Sequence, residues 1–185
     1  MQAPLSKTRS MTIAAVLTAV GIIIPMIMPI KVIIGPASYT LASHVPINMA
    51  MFVSPLVTTV VALGTTLGFQ VAGFPVVIVA RAFTHLIYAS IGARIIQEQK
   101  QILTRVSSRF LLNLGLNLVH ALGEVLVVYL FTSFGLSPMG DNFFYILVVL
   151  VGLGTLIHGM VDFELSYQFT GLLQKRTGRT FVNFA

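Results

Sequence analysis

The sequence has no cysteine and few charged residues, and both shortages restrict what the protein can be. Without cysteine it forms no disulfide framework, binds no iron–sulfur cluster through thiolates and uses no thiol chemistry. Only 9% of its 185 residues are charged, whereas soluble domains carry about 25%. With 56% hydrophobic residues and a mean hydropathy of +0.94, too few polar side chains remain to cover a water-facing surface. These values exclude a soluble enzyme and a disordered chain, and they indicate an integral membrane protein.

Motifs of catalysis and nucleotide binding are also missing. The sequence contains no P-loop, no glycine-rich phosphate cradle, no nucleophile elbow and no His-Glu-x-x-His zinc motif. His120 with Glu124, and His158 with Asp162, each place two metal-binding side chains four residues apart. We expect Glu124 towards the outer end of its helix and Asp162 towards the inner end of another, so that the two pairs do not converge. The sequence therefore predicts neither an enzyme nor a metal site.

Long apolar runs are what the sequence does contain. Residues 13–30 and 146–156 are apolar on nearly every face, whereas membrane β-strands alternate apolar and polar residues. A membrane helix uses about 20 residues, so six helices fit within one domain of residues 1–185. We predict an all-α membrane bundle with spans at about 11–30, 41–53, 56–72, 76–96, 110–134 and 143–173.

The basic residues predict the orientation of this bundle. Six spans place both termini on one side, and nine of the eleven basic residues then fall on that side. By the positive-inside rule, the termini are cytoplasmic in a multi-pass protein of the cell membrane. Basic residues beside apolar spans set orientation and contact anionic lipid, so the high pI does not indicate a nucleic-acid partner. The nine are Lys7, Arg9, Arg94, Lys100, Arg105, Arg109, Lys175, Arg176 and Arg179.

Two basic residues depart from that pattern. Lys31 follows the first span on the outer side, and Arg81 lies about six residues into the fourth span. A charge at that depth is costly in lipid, so Arg81 should face the bundle interior or a wet cavity, with His85 on the same face. The fifth span also carries a polar stripe that should face inward. Its side chains can either contact a substrate or form hydrogen bonds between helices. The stripe is Asn113, Asn117, His120 and Glu124.

Small residues at helical spacing mark close helix contacts. In the third span, Gly64 and Gly68 favour packing inside the bundle. In the first span, Ala15 and Ala19 lie in the predicted cytoplasmic half, where a partner can dock. Spacing alone leaves internal packing open as the alternative for these two alanines.

Taken together, these features resemble a known family. Six helices with a short second one, both ends inside, an Ala-xxx-Ala motif and a loop able to close a pocket resemble the substrate-binding S components of energy-coupling-factor vitamin transporters. The segments at 36–46 and 51–55 are similar to the branch assigned to pantothenate or niacin. Two further segments, at 74–82 and 152–158, add to a resemblance that covers nearly the whole chain.

The resemblance implies a division of labour between subunits. An S component of the bacterial cell membrane binds a vitamin with high affinity from outside. It then docks on a transmembrane T component, whose coupling helices meet the surface of Ala15 and Ala19, and delivers the vitamin inward. ATP and Mg²⁺ are used by two separate ATPase subunits, so this chain is expected to hold no cofactor. A stand-alone transporter or channel is the alternative class.

The identity of the vitamin depends on what surrounds Arg81. A buried guanidinium without a nearby fixed aspartate suits a carboxylate held bidentately, and pantothenate and nicotinate both carry one. The alternative for Arg81 is a pair with Glu124 of the fifth span that holds the bundle together. Pantothenate is the main prediction, because its hydroxyls and amide match several polar side chains. Niacin is the alternative and needs an aromatic slot, for which Tyr39, Phe83 or Phe143 are candidates. Besides Arg81 and Tyr39, the predicted substrate-binding residues are His44, Asn48, His85, Asn117, His120 and Glu124.

Overall fold

The structure, a computed structural model, describes residues 6–34, 37–136 and 142–178. Arg179, Pro36 at the start of the segment 36–46, and most of the chain between the fifth and sixth predicted spans lie outside these ranges. Within them the chain forms a helical bundle, as predicted. Its helices are α1 (Lys7–Ile27), α2 (Val45–Val53), α3 (Pro55–Val71), α4 (Val76–Glu98), α5 (Val106–Ser133) and α6 (Phe143–Thr177).

Helix length determines which elements can cross a bilayer. Helices α1, α4, α5 and α6 are long and apolar enough to do so. Apolar α3 has 17 residues, which is at the lower limit for a span. Helix α2 has nine residues and extends only about 14 Å, less than half of the roughly 30 Å hydrocarbon core. The structure thus supports a helical membrane bundle, while the count of six spans and the cytoplasmic termini stay predictions.

Local sequence explains where α2 ends and α3 begins. Ser54 is extended, and its side-chain oxygen accepts a hydrogen bond from the Val57 amide at 3.2 Å. Pro55 occupies the first turn of α3, where a missing N–H costs no helical hydrogen bond. These two residues lie between the second and third predicted spans, at 41–53 and 56–72. Buried apolar residues of α2 pack into the main core, where Phe52 meets Phe163 of α6 edge to face at 5.8 Å.

The segment between the first two predicted spans, which the resemblance implies is a loop, contains a β-hairpin. Strands β1 (Lys31–Ile34) and β2 (Ala37–Thr40) pair antiparallel, with Lys31 opposite Thr40. The β-branched residues of β1 favour this conformation. The hairpin contacts α6 through Tyr39, whose hydroxyl donates to the Leu150 carbonyl within a π-helical segment of that helix.

Small residues allow α1 and α3 to approach closely. A Cβ atom on Gly64 would come within 2.8 Å of the Thr18 side chain, and one on Gly68 would overlap Ile22. The prediction that these glycines serve packing inside the bundle is therefore confirmed. Ala15 and Ala19, by contrast, are exposed on the surface of α1.

Candidate functional site

A cavity of about 410 Å³ lies between the hairpin, the C-terminal ends of α1 and α3, and the N-terminal half of α4. Both basic residues that depart from the charge pattern, Lys31 and Arg81, line it. Arg81 is only 5% exposed, which confirms the prediction that it faces the interior. Other polar residues on the wall are Ser38, Thr40, Ser43, His44, Thr65, His85 and Glu124.

Arg81 forms a buried ion pair with Glu124. Its Nε donates to Oε2 of Glu124 at 2.7 Å, and its Nη2 donates to the same oxygen. The Thr155 hydroxyl also donates to this oxygen, at 3.2 Å. The structure therefore has the alternative arrangement, in which Arg81 pairs with Glu124 of the neighbouring helix. The reason is that α4 and α5 pack side by side and bring the two side chains to the same depth.

Four histidines gather beside this ion pair. The ring centroids of His44 lie 4.8 Å from His85, 4.7 Å from His120 and 5.0 Å from His158. The centroids of His85 and His120 are also 4.8 Å apart. The expectation that the His120 and His158 pairs do not converge is wrong. They meet because His44, directly before the short α2, lies between them.

Asp162 of α6 fixes the junction between the hairpin and α2. One carboxylate oxygen accepts the Ala42 N–H at 2.9 Å, and the other accepts the His44 N–H at 2.9 Å. The second oxygen also lies 3.2 Å from Nδ1 of His44 and 3.4 Å from Nε2 of His158. Ala42 has a φ of 66°, an uncommon left-handed conformation for a residue with a side chain. A fully buried carboxylate thus holds both this turn and the His44 ring in place.

The predicted site residues divide into two groups. His44, Arg81, His85 and Glu124 line the cavity. The remaining four do not line it, and within the described ranges they contact other residues of the protein. The four are Asn48, which accepts from Tyr88 at 3.4 Å; Asn117, which donates to the Asn113 side chain at 2.7 Å; His120, within the histidine cluster; and Tyr39. The polar stripe on α5 is buried, as predicted.

Tyr39 has a structural partner rather than a place on the cavity wall. Its hydroxyl donates to the Leu150 carbonyl. Burial raises the pKa of the Tyr39 phenol above its ordinary value, so the hydroxyl keeps its proton at neutral pH. This contact attaches β2 to α6.

Sequence reasoning missed the aromatic part of the wall. Phe69 and Phe74 both line the cavity, and their rings stack with centroids 4.7 Å apart and an interplanar angle of 27°. The turn at Gly73, with a φ of 78°, allows the Phe74 amide to donate to the Phe69 carbonyl at 3.0 Å. Of the aromatic residues named from sequence, Phe83 points outward with 54% exposure, and Phe143 packs in a separate apolar cluster. The signal in the sequence that could have indicated this aromatic wall is the Gly73-Phe74-Pro75 turn.

Comparison with known proteins places the chain in a family. It is 44% identical over 170 residues to the niacin transporter NiaX of Lactococcus lactis subsp. cremoris (strain MG1363), a match that covers 92% of this chain and 77% of the relative. No protein-family profile matches the chain. No solved structure matches it either. Identity at this level over most of both sequences establishes common family membership, so the chain belongs to the S components of energy-coupling-factor vitamin transporters.

Proposed function

We propose that this protein is the niacin-binding S component of an ATP-driven uptake transporter, taking the vitamin from outside and delivering it inward. Its 44% identical relative is a niacin transporter, which favours the niacin alternative over pantothenate. The preference for pantothenate rested on five predicted polar partners for its hydroxyls and amide, which are Asn48, His85, Asn117, His120 and Glu124. Three of these, Asn48, Asn117 and His120, are not among the residues that line the cavity.

The observation that carries the proposal is the pairing of a cation with an aromatic wall in one cavity. Niacin at neutral pH is a planar aromatic ring with one carboxylate. Stacked Phe69 and Phe74 offer a surface for the ring, and the Lys31 ammonium offers a partner for the carboxylate. Among the described residues, no carboxylate lies within ion-pair distance of Lys31, whereas Arg81 is bound to Glu124.

Replacing Lys31 by glutamine is expected to weaken nicotinate binding by about tenfold, or roughly 1.4 kcal/mol. Lys31 is exposed, so the lost charge-assisted contact is worth less than a fully buried one. Titration calorimetry on the purified protein measures the change. The wild-type protein should bind nicotinate in preference to pantothenate.

Two controls isolate the charge. Nicotinamide has the same ring but no carboxylate, so its affinity should be insensitive to Lys31→Gln. Lys7→Gln removes an exposed lysine at the other end of α1, about 20 Å from Gly21 at the cavity, and should leave nicotinate binding unchanged. An equal loss for acid and amide, or stronger binding of pantothenate than of nicotinate, would contradict the proposal.

The transport cycle that we propose needs a T component and two ATPase subunits as partners. Ala15 and Ala19 supply the docking surface, since both are exposed and their small side chains let another helix approach closely. Replacing both with tryptophan should abolish nicotinate uptake by the assembled transporter. Binding by the isolated subunit should persist, because Ala15 and Ala19 are on the exposed face of α1, whereas Gly21, which lines the cavity, is on its buried face. Uptake of labelled nicotinate and calorimetry give the two readouts.

A matched pair on α5 serves as the control for added bulk. Leu122 and Leu126 have the same four-residue spacing and are 68% and 56% exposed. Tryptophan at these two positions should leave uptake unchanged. Normal uptake by the Ala15→Trp, Ala19→Trp variant would exclude this docking surface, and uptake without any ATPase partner would favour a stand-alone transporter.

A further inference from the structure

Three imidazoles form a nearly equilateral triangle, two of them on the wall of the cavity and one behind it. They are His44 before α2, His85 of α4 and His120 of α5, with all three centroid separations between 4.7 and 4.8 Å. Each ring offers a nitrogen, and these nitrogens lie within 4.8 Å of one another. Imidazole nitrogen is the commonest protein ligand of zinc and similar divalent metals.

His120 is the most informative member of the triangle. It is 1% exposed, and neither ring nitrogen makes a hydrogen bond within the described part of the chain. Its Nε2 lies 3.5 Å from Oε1 of Glu124, without the geometry of a hydrogen bond. Buried polar atoms without a partner are rare in native proteins, and a bound ion is one of the arrangements that satisfies them.

The surroundings of the triangle are those of a metal centre. Histidines that bind metals commonly donate their other ring N–H to a carboxylate, which orients the ring. His44 has this arrangement, because its Nδ1 lies 3.2 Å from Oδ2 of Asp162. Two carboxylates, Glu124 and Asp162, stand beside the histidines against one guanidinium, that of Arg81. The charged groups around the triangle are therefore net negative, which favours a bound cation.

We propose that His44, His85 and His120 bind a divalent metal ion with the coordination preferences of zinc. Because His44 and His85 line the cavity, a ligand in the cavity can reach the fourth coordination position. Resting on the proposed niacin function, in which the carboxylate contacts Lys31, the pyridine nitrogen of the vitamin occupies that position. This reverses the sequence-based expectation that the chain has no metal site. Neighbouring ligands of tetrahedral zinc lie about 3.3 Å apart, so ring rotations bring the three nitrogens closer on binding.

The test uses the full chain, stripped with a chelator and titrated with Co²⁺ as a spectroscopic probe and Zn²⁺ as a competitor. One Co²⁺ per chain is expected, with the visible absorption of tetrahedral cobalt, displaced by Zn²⁺. His85→Ala should weaken metal binding by more than about 100-fold, since even the carboxylate behind a ligating histidine is worth 10- to 100-fold. His120→Asn tests the same site at a second position. His158→Ala should retain the metal, because His158 belongs to a different group with His44 and Asp162.

Two results would overturn the metal site. One is the absence of stoichiometric Co²⁺ or Zn²⁺ binding by the folded wild-type protein. The other is metal binding that survives in folded His85→Ala and His120→Asn variants but is lost in His158→Ala, which would place the ion in the other histidine group.

Nicotinate titrations separate this proposal from the proposed function. Addition of nicotinate should change the Co²⁺ spectrum, and removal of the metal should weaken nicotinate binding at least tenfold. Nicotinate binding of equal strength with and without metal would overturn the contact between metal and vitamin while leaving the niacin function intact. Metal binding without any nicotinate binding would overturn the niacin function while leaving the metal site intact.

Discussion

Replacing Arg81 by methionine is expected to lower the free energy of unfolding by about 3–5 kcal/mol, because it leaves a buried Glu124 without its cationic partner. Both side chains are at most 7% exposed, and two guanidinium nitrogens donate to the same carboxylate oxygen. Thermal or denaturant unfolding of the detergent-solubilised protein measures the loss.

A second substitution tests whether the uncompensated charge is the cause. Adding Glu124→Gln to Arg81→Met removes that charge and should restore most of the stability, since neutral replacement of a buried pair is often well tolerated. Glu164→Gln breaks the more exposed pair with Arg109 and should cost less than about 1 kcal/mol. A double variant no more stable than Arg81→Met would exclude the uncompensated charge of Glu124 as the cause of the loss. If it folds, its affinity for nicotinate then tests the predicted carboxylate-binding role of Arg81.

Replacing Asp162 by alanine is also expected to lower the free energy of unfolding, by about 3–5 kcal/mol. The change leaves the buried N–H groups of Ala42 and His44 without an acceptor, and each such group costs about 1–3 kcal/mol. It also removes the partner of the His44 ring. The unfolding midpoint and the nicotinate affinity should therefore fall together.

Asparagine at the same position provides a graded control. Asp162→Asn keeps the shape and one acceptor oxygen, so its stability should lie between those of the wild-type and alanine proteins. Ala42→Gly in the alanine background should recover a few tenths of a kcal/mol or more, because glycine adopts the left-handed conformation at this position without strain. Unchanged stability of Asp162→Ala would show that the junction does not depend on this carboxylate.

The sequence predicts the long helices and the inward-facing side chains because both follow from short-range rules. Apolar runs fix α1, α4, α5 and α6, and the cost of exposing polar groups to lipid fixes the direction of Arg81. The Ser54-Pro55 boundary is likewise encoded in two adjacent residues.

The rest depends on how the elements are arranged in space. The hairpin escapes sequence analysis because its four-residue strands are too short to show alternation. The contacts of His120 and His158 with the same His44 ring require the position of His44, which is set by the short α2 and by Asp162 more than a hundred residues away. The pairing of Arg81 with Glu124 depends on the depth at which α4 and α5 pack against each other. Helical periodicity does not specify this depth.

The contact between the hairpin and α6 has a consequence for how such sequences can diverge. A Cβ atom on Gly154 would lie 2.7 Å from Cζ of Tyr39, closer than side-chain atoms approach in real proteins. Any other residue at 154 therefore requires the Tyr39 ring to move or a smaller residue at 39, and either change disturbs the bond from the Tyr39 hydroxyl to Leu150. The two positions are thus coupled, so we expect them to covary among homologues although 115 positions separate them.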